Sequence, residues 1–147
     1  MNAYITRELD YAIRICAYLA GYYQKDPIPV SRIAKRLSIT KPFATKIIYR
    51  LRQTHVVDSV QGKHGGIYLA QNPAKLSMFS IFEAMEFKAT LNECLQIEHV
   101  CPLSGACQIH RFFEEQQEKL TQSLKKQMIF DFAFTDDALD SIHHDNG

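Results

Sequence analysis

Nowhere in its 147 residues does this chain string together the ~20 apolar residues that a bilayer-spanning helix requires. Its opening, MNAYITRELDY, carries charges where a secretion signal needs an apolar region, so the protein is expected to stay in the cytoplasm. Internal repeats and low-complexity tracts are missing, and the length suits one domain, or one small domain with a helical arm. There is no glycine-rich cofactor loop and no acid–base constellation, so an enzyme is not expected. Cysteine is scarce, at four residues, and a cytoplasmic setting favours metal binding over disulfides for them. Net charge is nearly absent, at +1.

That last figure hides an asymmetry. Between Pro29 and Gly66 eight Lys and Arg face a single acid, Asp58, so this segment stands at +7 and the rest of the chain at −6. A basic block on an otherwise acidic protein is the footprint of a nucleic-acid face.

The local pattern around that block is specific. Over residues 5–23 apolar side chains recur at helical spacing (Leu9, Ala12, Ile13, Cys16, Ala17, Leu19, Ala20), and Cys16 reads as core. After a proline-bearing turn, Ser31 opens a short helix with Ile33, Ala34 and Leu37 inward and Arg32, Lys35 and Arg36 outward. A tight turn at Ser38 and Ile39 leads to Thr40, placed to cap the next helix, and Pro42 fits the first turn. Phe43, Ile47, Ile48 and Leu51 form the buried face of that helix, which leaves Lys41, Thr45, Lys46, Tyr49, Arg50 and Gln53 outward. Two short helices across such a turn make a helix-turn-helix. Residues 56–60 and 67–70 read as two strands around the turn QGKHGG, a hairpin that makes a wing. The wing contributes Gln61, Lys63 and His64 to the candidate DNA contacts, beside Lys41, Thr45, Lys46, Tyr49 and Arg50.

The other chemistry lies in ECLQIEHVCPLSGACQIH, residues 93–110. Cys94, Cys101 and Cys107 are separated by six and five residues, and His110 follows three positions after the last. Pro102 and Gly105 break regular structure, so the intervals can fold back and gather three sulfurs at one point. Gathered thiolates suit zinc or an iron–sulfur cluster. A disulfide with a spare thiol, a catalytic cysteine and three unrelated core cysteines are the weaker readings.

On either side of this loop the chain is helical. Ser77 caps a helix running to about residue 87, and a longer one spans about 108–128 with Ile109, Phe112, Phe113, Leu120, Leu124 and Met128 in a stripe. That stripe has little to cover it in a monomer, so Phe112, Phe113, Leu120 and Leu124 are expected to pair with a second copy. From Asp131 the tail is acidic and is expected to fray into solvent, its two final histidines being metal donors only as a lesser alternative. The expected architecture is mostly α with a small β-hairpin wing. Residues 1–74 form a winged helix-turn-helix, and residues 75–147 hold a linker helix, the cysteine loop and a long C-terminal dimerisation helix.

In that order these parts resemble the Rrf-type family of bacterial transcription regulators. DYAIR at 10–14 looks like the family's N-terminal helix signature, and GKHGG at 62–66 followed by IYL looks like its wing. Cys94, Cys101 and Cys107 match the family's cluster cysteines. His110 matches the histidine of IscR-type members, and Asp10 falls where NsrR-type members supply an aspartate from the partner subunit. The resemblance implies a homodimer that binds a pseudo-palindromic operator in double-stranded DNA, with affinity set by a 2Fe–2S or 4Fe–4S cluster sensing redox state, nitric oxide or iron–sulfur status. Asp10 or His110 would supply the remaining ligand, the signature around Asp10 favouring the carboxylate. Two departures stand out. Gln61 replaces an arginine that many members carry in the wing, and the first cysteine interval is one residue longer than the common five, which leaves the cluster type open. A Cys3His zinc site on Cys94, Cys101, Cys107 and His110, or a cluster-free thiol sensor, remains the alternative.

Overall fold

Threonine side chains fix where two of the helices begin. Leu9 N–H donates to Thr6 Oγ1 at 3.2 Å, and Phe43 N–H donates to Thr40 Oγ1 at 3.3 Å, so each hydroxyl satisfies an amide that has no partner inside its helix. The computed structural model describes residues 3–88, 90–92, 95, 102, 103 and 106–144. Among them helices α1 (Arg7–Ala20), α2 (Val30–Arg36) and α3 (Lys41–Gln53) precede strands β1 (Val57–Val60) and β2 (Gly66–Leu69). Helices α4 (Met78–Ala84), α5 (Gln108–Lys126) and α6 (Asp136–His144) follow, with a 3₁₀ turn at Ile129–Phe132 before the last.

The apolar stripe of α1 is buried as expected, Leu9, Ala12, Cys16 and Leu19 each being at most 1 % exposed. Ile33 of α2 and Ile47, Ile48 and Leu51 of α3 meet it, and the wing adds Val57, Ile67 and Leu69. Between α2 and α3 the backbone turns through Ser38 at φ +58, closed by an Ile39 N–H bond to the Ala34 carbonyl at 3.0 Å. The strands pair antiparallel in register Val57 with Leu69 and Val60 with Gly66. Ile28 and Ile67 exchange two 2.8 Å bonds and so fasten the segment before α2 to the wing. Gly66 permits that approach, since a Cβ there would lie 2.5 Å from the Ile28 carbonyl carbon.

Downstream of the wing, Ser77 caps α4 as expected, accepting from Ser80 N–H at 3.1 Å. The far end of α5 is pinned beside it. Met78 N–H bonds the Gln127 carbonyl and Ile129 N–H the Leu76 carbonyl, both at 2.8 Å, and Ile129 enters the core at 0 % exposure.

The tail departs from expectation. From Asp131 to His144 the chain does not fray. Phe134 stacks on Tyr18 with ring centroids 5.6 Å apart, and α6 then lies against α2. Gly21 makes room for this return, because a Cβ on it would sit 2.0 Å from the Phe134 carbonyl oxygen. Of the tail's two histidines, His143 and His144, the backbone belongs to α6. No helix among the described residues is long and apolar enough to cross a membrane.

Candidate nucleic-acid interface and the cysteine-bearing helix

Helix α3 buries Ala44, Ile47, Ile48 and Leu51 and, by its 3.6-residue period, turns Lys41, Thr45, Lys46 and Tyr49 outward together. These four line a shallow surface hollow with Pro42. Tyr49 is 62 % exposed, a ring held in solvent where a monomer gains nothing from it. Thr45 Oγ1 donates back to the Lys41 carbonyl at 2.8 Å, which leaves its lone pairs free to accept. Gln61, Lys63 and His64 are exposed at the wing tip, between the ends of β1 and β2.

Arg50 does not join them. The sequence pattern put it on the outer face, yet its guanidinium is turned back between α1 and α4. It donates to Glu8 Oε1 at 2.6 Å and to the carbonyl of Met85, the C-cap of α4, also at 2.6 Å. Glu86 Oε2 stands 3.6 Å from the same group. Lys46 Nζ approaches the other Glu8 oxygen at 3.4 Å while its side chain stays 66 % exposed. The Arg50 hydrogen bond, aided by Lys46, holds the Glu8 carboxyl below its ordinary range against an opposing effect of burial. A second tie between α1 and α3 comes from Arg7, whose guanidinium lies 5.0 Å from the Tyr11 ring centre and 4.5 Å from that of Phe43. Neither Glu8 nor Arg7 stands out in sequence. Both lie in α1, more than thirty positions from the helix they brace.

Cys16 is core, and burial pushes its thiol up to about 12. Cys94 and Cys101 lie outside the described residues. Cys107 is the N-cap residue of α5, half-buried, and its side chain makes no capping hydrogen bond. Cys107 lines a hollow of about 400 Å³ with Pro102, Leu103 and Ala106. His110 is in the first turn of the same helix, its Nε2 4.0 Å from Glu114 Oε2. Asp10 is on α1 and accepts from Arg14 Nε one turn later at 3.2 Å through both carboxylate oxygens. A cysteine sulfur at the head of a helix, beside a mostly apolar hollow, fits one corner of a metal or cluster site.

Along α5 the stripe divides. Ile109 and Phe112 are 67 % and 55 % exposed, whereas Phe113 and Leu120 are half-buried and Leu124 packs against the core of its own chain.

A family model described as "Rrf2: Iron-dependent Transcriptional regulator" matches residues 5–134. The chain belongs to the Rrf2 family. Among curated relatives it is 26 % identical to the HTH-type transcriptional regulator NsrR of Geobacillus kaustophilus over 121 residues, 82 % of either chain. It is 28 % identical to the HTH-type transcriptional repressor NsrR of Streptomyces coelicolor over 121 residues, 82 % of this chain and 81 % of that one. Among solved structures CymR, the global cysteine regulator of B. subtilis, superposes with a TM-score of 0.72 at 20 % identity, over 90 % of this chain and 97 % of that one. IscR of T. potens gives 0.67 at 20 % identity, over 85 % and 82 %. This Rrf2 protein is accordingly a DNA-binding transcription regulator with a winged helix, and not an enzyme.

Proposed function

We propose that this Rrf2 regulator works in the cytoplasm as a homodimer. It reads a pseudo-palindromic operator with α3 and the wing, under the control of an iron–sulfur cluster. Residues 1–74 then form the reading part and residues 75–147 the sensing and pairing part, a functional division that leaves the core continuous. Lys46 and Tyr49 meet base edges, while Thr45, Lys41, Gln61, Lys63 and His64 serve the phosphate backbone. Arg50 contributes by holding α3 in place. Cys94, Cys101 and Cys107 hold the cluster, and Asp10 or His110 completes it. The observation that carries this reading is Cys107 at the head of the long helix α5, with His110 one turn on, in a family described as iron-dependent. A bound cluster would supply an iron centre whose oxidation or loss changes the charge and reach of this loop.

Anaerobic purification tests it. Brown protein with stoichiometric iron and acid-labile sulfide, lost on replacing Cys107 with Ala, supports the cluster. Colourless protein holding zinc decides for the Cys3His alternative. Colourless metal-free protein whose DNA binding follows thiol oxidation decides for a thiol sensor, a reading favoured by the likeness in fold to the global cysteine regulator.

A further inference from the structure

Helix α6 carries Asp136, Asp137 and Asp140 and no Lys or Arg, and it lies on the first helix of the helix-turn-helix. Arg32 Nη2 meets Asp136 Oδ2 at 2.6 Å, and Arg36 Nη2 meets Asp140 Oδ1 at 2.6 Å. Arg36 Nε is 2.7 Å from Asp136 Oδ1 but off the line of its N–H, so that contact pairs charge without a hydrogen bond. Tyr18 O–H donates to Asp136 Oδ1 at 2.9 Å, and Asp136 N–H donates to Tyr22 Oη at 3.0 Å. The cradle is therefore a guanidinium pair at i,i+4 with a phenol donor beside it, filled by two carboxylates. Arg32 also lies 5.2 Å from the Tyr22 ring centre.

Guanidinium forks bind carboxylate and phosphate by the same geometry, and the first helix of a helix-turn-helix crosses the DNA backbone. Two of the eight basic residues between Pro29 and Gly66 are thus engaged by the acids of α6. The attachment is also asymmetric. Phe134 is packed on Tyr18 before the helix starts, whereas the hold beyond Thr135 is carried by ion pairs and hydrogen bonds centred on Asp136 and Asp140. Such a hold can release while Phe134 stays in place, uncovering the hydroxyl of Tyr18, which is fully buried with α6 docked.

We propose that Tyr18, Arg32 and Arg36 form a phosphate-contacting site of the DNA interface, which α6 occupies in cis as a carboxylate mimic and so restrains DNA binding. The proposal rests on the DNA-binding reading and adds an intramolecular competitor to it.

The test uses the full chain and a labelled mixed-sequence duplex, since phosphate contacts need no operator. Asp136→Asn with Asp140→Asn should tighten binding several-fold. The slope of log K against log salt should steepen by about 0.9 for each phosphate newly engaged, or ~1.8 for both arginines. Arg36→Ala in that background should take back about half of the steepening and Arg32→Ala with Arg36→Ala all of it, while Arg36→Ala alone changes little because its partners are already aspartates. Asp140→Asn by itself, which leaves the Tyr18 and Tyr22 bonds intact, gives a smaller gain and covers the case in which the double variant fails to fold. Unchanged or weaker binding by the folded variants, or a gain that survives the loss of both arginines, overturns the proposal and makes α6 a strut. Failure of the unaltered protein to bind any duplex at low salt would instead remove the DNA-binding reading beneath it.

Discussion

Arg50 crosses 42 positions of sequence to donate to Glu8 at 2.6 Å, and its second amino group takes the carbonyl that ends α4 at the same distance. One side chain on α3 therefore joins it to the first helix and to the segment that follows α4. A partly buried guanidinium with two charge-assisted bonds is costly to remove, because its partners are left facing a gap.

Replacing Arg50 with Ala should lower stability by about 1–3 kcal/mol and weaken DNA binding as a consequence. Lys46→Ala should weaken DNA binding with the unfolding midpoint nearly unchanged, since its side chain is mostly in solvent. Urea unfolding and DNA titration of both variants separate the roles. An unaltered midpoint for Arg50→Ala would show that the clamp does not brace the fold.

Acid should act on the same pair. The Glu8 carboxyl is held below its ordinary value by Arg50, so between the folded and unfolded values the native protein binds fewer protons than the unfolded chain. The resulting stability is complete above an unfolded value near ~4.3 and is lost as pH falls through the lower, folded one. Glu8→Gln should flatten that acid limb in thermal melts recorded across it. An acid limb identical to that of the unaltered protein would dismiss Glu8 as its source.

Dimerisation is best probed where α5 is open. Leu124 packs against its own chain's core, so a charge there would disturb the fold together with any pairing. Ile109→Glu with Phe112→Glu alters two exposed side chains and should yield monomers by sedimentation at micromolar concentration, with weaker operator binding. A persistent dimer would move the interface away from this end of the helix.

Much of the architecture was readable because its signals are local. Thr40 and Ser77 announce helix starts through bonds three residues long, and the periodic stripe marked α5 to within two residues of its observed end. Arg50 was misplaced because helical period gives only an angle. Its direction is decided by a carboxylate on α1 and a carbonyl on α4, neither of which is near in sequence. The docking of the tail is hidden from the sequence for the same reason. Asp136 and Asp140 look like solvated acids until the fold brings Arg32 and Arg36, both 104 positions away, against them. Candidate DNA contacts other than Arg50 stand on the open surface where the pattern put them. Of the three loop cysteines, Cys107 is the one whose surroundings the structure describes.

The bonds joining Met78 to Gln127 and Leu76 to Ile129 fasten α5 at the end opposite Cys107. Nineteen residues at 1.5 Å each make an arm of ~28 Å between that fastening and the sulfur. A tilt of ~5° about the fastening carries the cysteine end through ~2.5 Å, about the width of one bond between a metal and a thiolate. Run in reverse, the same arm divides a displacement at the loop into a few degrees of rotation at its root, beside Leu76 and the start of α4.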